Sequence, residues 1–245
     1  MVARKKTAKQ DASSAVLQQK GCGETIGGLF PCCTIIHGDC DEYLWMLPPG
    51  CVDLVITDSP YGMNYESGQP QWDRRIYGDD RFPVEALHHL IKTPRLASYL
   101  FCRWDNLCEN VATSRDADDA YLLPKPKSVI TWVKPSGGLT DGSTHSRATE
   151  TALFYPGPKH KFKKTPSDVV HAKRSGNEVH QTQKPLKLIM QIMEWYKFKT
   201  VLDPYMGSGT TALAAKELGK HYLGFEIDDA HYKTCVDLLE GPQLF

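Results

Sequence analysis

Long hydrophobic runs are missing from this 245-residue sequence. No segment approaches the roughly 18 consecutive apolar residues that a membrane span requires, and the first residues hold no apolar stretch of signal-peptide length. A net charge is missing too: 29 Lys plus Arg balance 29 Asp plus Glu, which excludes a highly charged tail protein. The eight cysteines, at positions 22, 32, 33, 40, 51, 102, 108 and 235, show no Cys-x-x-Cys spacing and no Cys/His pairing at zinc-finger intervals. We therefore expect reduced thiols, no disulfide scaffold and no metal in a soluble intracellular protein. What is present, 41% hydrophobic and 24% charged residues, is enough for an ordinary globular core.

The neutral total hides an asymmetry. From Pro124 to Lys187 the chain carries 12 Lys/Arg against 4 Asp/Glu, a local balance of +8, so the remainder sums to −8. Segregated charge can build a basic face for a polyanion or can belong to a solvated loop, and charge alone supports both.

Residues 1–28 are polar and carry no apolar period; we expect a flexible tail followed by one domain over 29–245. Cys33 to Ile36 reads as the first strand and Asp41 to Leu47 as a helix stopped by Pro48-Pro49-Gly50. Val52 to Thr57 is mostly apolar, as a strand covered on both faces would be. Further strands are predicted at Ala97–Cys102, Ser128–Val133, Thr151–Tyr155, Thr200–Asp203 and His221–Glu226. Helices are predicted at 83–96, from Pro185 through Tyr196, to about Leu218, and at 229–239. Residues 63–82 and 136–177 look like long irregular insertions. Strands alternating with helices in this order give an α/β fold with a mostly parallel sheet.

Gly207-Ser208-Gly209 stands between a strand and a helix, where backbone can approach a ligand and helix N–H groups can face it. Glu226 follows Gly207 by 19 residues at the end of the next strand, near the spacing at which a carboxylate holds a ribose hydroxyl pair. An adenosine-bearing cofactor is implied. A dinucleotide loop and a plain tight turn satisfy the same residues, whereas a phosphate-binding P-loop lacks its Lys-Ser/Thr pair.

Asp58-Ser59-Pro60-Tyr61 leaves another apolar strand at its carboxyl end. Ligands bind outside such ends in open parallel sheets, so the two turns can share one site. An aromatic ring's exocyclic amine is a poor nucleophile; two acceptors, the Asp58 carboxylate and the Ser59 carbonyl, can hold its N–H bonds and favour tetrahedral nitrogen. Pro60 fixes the backbone and Tyr61 offers a ring face for a base. Read blandly, the same four residues are a good turn.

These two stretches, with His180-Gln181-Thr182-Gln183-Lys184-Pro185, resemble the motifs of the S-adenosylmethionine-dependent amino-methyltransferases of DNA. Asp203-Pro204-Tyr205-Met206-Gly207-Ser208-Gly209-Thr210-Thr211 is similar to that family's cofactor loop. With the catalytic turn first and the cofactor loop last, the motif order resembles the circularly permuted β group over roughly residues 33–240. The resemblance implies a Rossmann-like class I methyltransferase fold: a mostly parallel seven-stranded sheet with helices on both faces. It implies a catalytic set of Asp58, Ser59, Pro60 and Tyr61. It places Asp203 and Thr182 at the methionine end, Glu226 at the ribose and Asp39 at the adenine. Asp58, Lys184, Tyr205, Gly207, Ser208, Gly209, Thr210 and Thr211 complete the implied cofactor set. Ser59 departs from the usual proline but keeps the backbone carbonyl; Gln181 replaces another proline.

The expected reaction is methyl transfer to adenine N6 in double-stranded DNA, the base being flipped into the pocket. The leading Asp favours adenine over cytosine N4. Gln69, Gln71, Arg74 and Arg75 are candidates for base edges, and Lys159, Lys161, Lys163 and Lys164 for phosphates. A homodimer and a cognate restriction enzyme are possible partners by the same resemblance. Pro31-Cys32 has the order found in cytosine-C5 enzymes but precedes the first expected strand and lacks their glutamine, so it is set aside. From other classes, an idle DNA-binding module or a nucleotide-dependent oxidoreductase would fit parts of the pattern; the latter needs a hydride-transfer set that does not stand out.

Overall fold

A computed structural model of the chain describes residues 23–62, 79, 83–102, 123–135, 137, 145–146, 148–174 and 183–241, and the backbone of 16–18. The strands are β1 (Val16–Gln18), β2 (Thr25–Ile26), β3 (Phe30–Pro31), β4 (Thr34–His37), β5 (Val52–Thr57), β6 (Pro94–Cys102), β7 (Ser128–Val133), β8 (Thr149–Pro156), β9 (Val169–His171), β10 (Thr200–Asp203) and β11 (His221–Glu226). Nine of them, among the described residues, form one sheet in the order β1-β4-β11-β10-β5-β6-β8-β7-β9, and β2 pairs with β3 in a separate hairpin. The run β4-β11-β10-β5-β6 is wholly parallel, whereas β8 is antiparallel to both of its neighbours. The inner seven strands are the expected sheet; β1 and β9 extend its two edges.

Every residue of β5 is buried, which accounts for its continuous apolar run. Asp53 is the exception in chemistry. Its carboxylate accepts Lys199 N–H at 2.5 Å and Thr200 N–H at 3.2 Å and pairs with Arg95, so the charge is fully partnered.

Helices α1 (Val84–Lys92), α2 (Leu186–Glu194), α3 (Thr210–Glu217) and α4 (Asp229–Glu240) cover the two faces. Pro185 caps α2, and Leu188, Ile189, Ile192 and Met193 form its buried stripe. That stripe joins α3 and α4 in one apolar core, and Ala86, Leu87 and Leu90 of α1 enter a second core across the sheet. Burying one such side chain contributes roughly 1.5–3 kcal/mol, so these two stripes hold much of the layered structure together.

Three expectations are corrected. The helix expected over 83–96 stops at Lys92 and β6 already begins at Pro94, whose missing N–H cannot continue a helix. The helix expected from Asp41 to Leu47 is instead two 3-10 turns, Cys40–Glu42 and Leu44–Met46. The stretch before Pro48 is too short to repay α-helix nucleation, and the Asp39 side chain accepts Asp41 N–H at 3.0 Å, closing a tight turn. The expected tail to residue 28 is structured near its end. β1 pairs antiparallel with β4, and Ile26 of the β2–β3 hairpin is 1% exposed. Strands this short show no readable period; their partners form them.

From β5 the chain passes to β6 on one side, and from β10 it passes to β11 on the other. The winding therefore reverses between β5 and β10. In open α/β sheets the crevice outside the carboxyl ends at such a reversal is where ligands bind, and both sequence-predicted turns leave strands there.

Candidate active site

Thr57 ends β5 and donates its hydroxyl to Asp203 of β10 at 2.7 Å. The acidic turn that follows Thr57 and the glycine loop that follows Asp203 thus start from adjacent, directly bonded positions. Ser59 is buried, and Tyr61 donates its hydroxyl to Asp58 Oδ1 at 2.5 Å. Burial, reinforced by the Asp58 carboxylate, raises the Tyr61 phenol well above its ordinary pKa, so it remains a donor. The backbone N–H groups of Tyr61 and Gly62 both donate to Asp79 Oδ1 at 2.8 Å, which fixes the turn from behind.

The other Asp58 oxygen pairs with Lys184. Lys184 also meets Glu150 at 3.3 Å, and Glu150 meets Lys134 at 2.6 Å, giving a chain of alternating charge. Burial pulls the Lys184 pKa down, but the Asp58 and Glu150 carboxylates outweigh it and hold the ammonium above its usual range. Burial likewise pushes Glu150 up, and the two lysines more than offset this, keeping it ionised. Each carboxylate oxygen of Asp58 retains a lone pair for a further donor.

On the cofactor side, Asp203 is 4% exposed and accepts Tyr205 N–H at 3.2 Å besides the Thr57 hydroxyl. Burial pushes its carboxyl up to about 7, against hydrogen bonds from Thr211, Thr57 and Tyr205 that favour ionisation. Gly207 and Gly209 take left-handed φ of 55° and 88°, and Gly209 caps α3. A Cβ on Gly209 would lie 3.1 Å from Cys235 Sγ, whereas one on Gly207 would meet nothing within 4 Å. Gly209 is thus required by packing, and Gly207 faces open space where a ligand can pass. Ser208, Thr210 and Thr211 are buried beneath the loop.

Glu226 closes the loop. Its carboxylate accepts Gly207 N–H at 2.7 Å and Asp228 N–H at 2.9 Å, and burial raises its pKa. Asp39 lies just beyond β4, the strand beside β11, and Gly38 N–H bonds the Glu226 carbonyl at 2.9 Å. Gln183 donates to Thr210 Oγ1 at 3.1 Å, bringing Gln183-Lys184-Pro185 against the start of α3. Open space at Gly207, flanked by Asp39, Asp203 and Glu226, suits an extended cationic ligand with a ribose.

The profile of the N6_N4_Mtase family, described as DNA methylase, matches residues 52–237. The chain belongs to the DNA methylase family. Putative methylase YubD of Escherichia coli is 28% identical over 214 residues, 85% of this chain and 90% of that protein. DNA adenine methyltransferase YhdJ of Escherichia coli is 26% identical over 242 residues, covering 84% of this chain and 82% of its own. The crystal structure of the M1.HpyAVI-SAM complex shares the fold with a TM-score of 0.61 at 23% identity, over 83% of this chain and 97% of that one.

In this DNA methylase three expected site groups have contacts that the sequence did not show. Lys184, expected with the cofactor, sits against the Asp58 carboxylate, because the chain entering α2 passes the acidic turn. Lys159, Lys161, Lys163 and Lys164 are exposed, and Lys159 N–H bonds Arg95 O at the start of β6, the end of the strand away from the acidic turn, while Lys163 N–H bonds Trp195 O. The reason is strand direction. β8 runs antiparallel to β6, so it begins beside Asp58 and delivers the residues after Pro156 to the opposite end. From Arg95, where Lys159 bonds, to Leu100, which pairs with Thr57, the strand rises roughly 17 Å. Tyr61, expected as a stacking platform, is also tied to Asp58 through its hydroxyl.

Thr182, Gln69, Gln71, Arg74 and Arg75 lie outside the described residues. Lys134, Glu150 and Asp79 of this DNA methylase escaped sequence reading. A signal existed for two of them: Glu150 is an acid in an apolar strand, and a β7–β8 hairpin pairs it with Trp132, two residues before Lys134. Asp79 had none.

Among the described residues no helix is long and apolar enough to cross a membrane.

Proposed function

We propose that this chain transfers the methyl group of S-adenosylmethionine to the N6 of an adenine flipped out of double-stranded DNA. The observation that carries this reading is the direct Thr57–Asp203 bond, which starts the acidic turn and the glycine loop from one point at the sheet's reversal. The residues present fit the cofactor: Asp39 and Glu226 for the adenosine, and Asp203 with Tyr205 and the glycine loop for the methionine end. Bound there, the cofactor supplies an electrophilic methyl carbon on a sulfonium, which a nitrogen lone pair can take while the C–S electrons stay on sulfur.

The chain's own residues prepare the base. Asp58 and the Ser59 carbonyl accept hydrogen bonds from the two amino N–H groups, drawing the lone pair out of the ring's conjugation and toward the donor. Pro60 fixes the carbonyl's direction. Tyr61 holds Asp58 and offers a ring face to the flipped base. Lys184, gripped by Glu150, pairs with Asp58 and holds it in place until the amine arrives. Gln69, Gln71, Arg74 and Arg75 follow this turn closely in the sequence, and their side chains suit base-edge contacts. A cytosine N4 presents the same geometry, and the family includes both chemistries; the leading Asp58 and the name of YhdJ favour adenine.

The test is methyl transfer itself. The protein is incubated with methyl-labelled S-adenosylmethionine and mixed-sequence duplex DNA, and the digested nucleosides are read by mass spectrometry. Labelled N6-methyladenine is expected; labelled N4-methylcytosine alone would overturn the adenine assignment.

A further inference from the structure

The amino-terminal ends of β4 and β11, remote from the methyl-transfer site at the carboxyl ends, carry a second cluster. Cys32, Cys33 and His221 bring two thiol sulfurs and an imidazole nitrogen within 4.8 Å of one another. The cysteines precede β4 and the histidine opens β11. Parallel pairing of those strands, with Cys33 N–H donating to Tyr222 O at 2.8 Å, joins segments 188 residues apart.

The local backbone is unusual in a way that serves this cluster. Adjacent residues in extended chain point to opposite faces, which would separate neighbouring thiols. Cys33 instead has φ 55°, the sole left-handed non-glycine residue among those described, and both sulfurs reach the same imidazole. Backbone held in such a sparsely populated conformation clusters at functional sites. Cys32 is buried, whereas Cys33 and His221 are half-buried, so the cluster is reachable from solvent. Glu24 lies beside it: its carbonyl accepts Cys32 N–H at 3.0 Å, and its carboxylate pairs with Lys199.

We propose that Cys32, Cys33 and His221 bind one zinc ion, with water or the Glu24 carboxylate in the fourth position. Two sulfurs and one imidazole are the donor types zinc prefers. Tetrahedral zinc, with bonds of about 2.3 Å to sulfur and about 2.0 Å to nitrogen, separates its donors by about 3.5–3.8 Å. The Cys33 Sγ to His221 Nδ1 distance of 3.9 Å is already close to that. The ion would clasp β4 to β11, the strands that carry Asp39 and Glu226 at their other ends, so its role is structural and independent of the methyl-transfer assignment.

Cobalt is the probe. The full chain, reduced with a phosphine and stripped by a chelator, is titrated with Co²⁺. One equivalent should give near-ultraviolet thiolate-to-cobalt absorption with visible tetrahedral bands, and zinc should displace it. Cys33→Gly, which suits the left-handed backbone, and His221→Gln should each weaken binding by more than the roughly 10–100-fold that losing an outer partner costs. Cys40→Ser, in the separate Asp39-Cys40-Asp41 group, should leave the spectrum intact. Absence of thiolate bands in the parent chain, an unchanged spectrum in Cys33→Gly and His221→Gln, or loss of the bands in Cys40→Ser would each overturn the proposal.

Discussion

Thr57 and Asp203 share a hydrogen bond of 2.7 Å although 146 residues separate them. The bond favours the ionised form of a carboxyl that burial has pushed up to about 7. An ionised Asp203 attracts a cationic cofactor and a protonated one does not. Affinity for S-adenosylmethionine should therefore strengthen as pH rises from about 6 to about 8, changing at most about tenfold per unit below the pKa and levelling above it. Titration calorimetry across this range checks it. Thr57→Val should move the inflection upward, and Asp203→Asn should flatten the profile.

Asp58→Ala removes the acceptor for the target amine but no part of the glycine loop. Turnover should fall by roughly 10²–10⁴-fold, the usual worth of such a group. The dissociation constant for the cofactor should stay within a few fold. Single-turnover methylation and equilibrium binding on the same preparation separate the two effects, and retained turnover would remove Asp58 from its assigned role.

Glu150 is kept ionised by Lys184 and Lys134 against the pull of burial. A carboxyl lowered in the fold adds stability that is present above its unfolded pKa of about 4.3 and is lost as pH falls through the lower native value. Glu150→Gln should cost about 1–3 kcal/mol at neutral pH, a buried-pair loss discounted for partial exposure. The deficit should shrink in acid, as denaturant melts at the two pH values would record. Turnover should fall as well, since Lys184 loses one of its two anchors.

Gly209→Ala would place a methyl group 3.1 Å from Cys235 Sγ and 3.3 Å from Cys235 Cα at a φ of 88°. The left-handed conformation alone costs roughly 1–2 kcal/mol for a non-glycine residue, and α4 must also shift. A lowered melting temperature together with weakened cofactor binding is expected.

Neutralising Lys159, Lys161, Lys163 and Lys164 should leave the salt dependence of DNA affinity nearly unchanged. Each lost phosphate contact would reduce the slope of log K against log salt by about 0.9, so a drop of two or more would return these lysines to the DNA interface.

Much of the nucleus was legible. The bounds of β5, β7, β10 and β11 are those the sequence predicts, because continuous apolar runs ended by turn residues identify buried strands. The acidic turn and the glycine loop were readable because their chemistry is local. What escaped depends on strand direction and long-range pairing. The lysines after β8 looked like neighbours of the site until its antiparallel course carried them away, and Glu150 gains meaning only beside Lys134 and Lys184. The 3-10 turns and β1 are too short for any period to declare them. The approach of His221 to Cys33 is invisible to a search of sequence spacing, which looks for ligands a few residues apart.

The central claim is that one crevice at the sheet's reversal holds both the methyl donor and the amine's acceptor. A crystal structure of the chain with S-adenosylmethionine tests it most directly. The account predicts the ribose at Glu226, the methionine end along Asp203 and the glycine loop, and the methyl group facing Asp58 and the Ser59 carbonyl. A cofactor bound elsewhere, or one whose methyl group points away from Asp58, would contradict it.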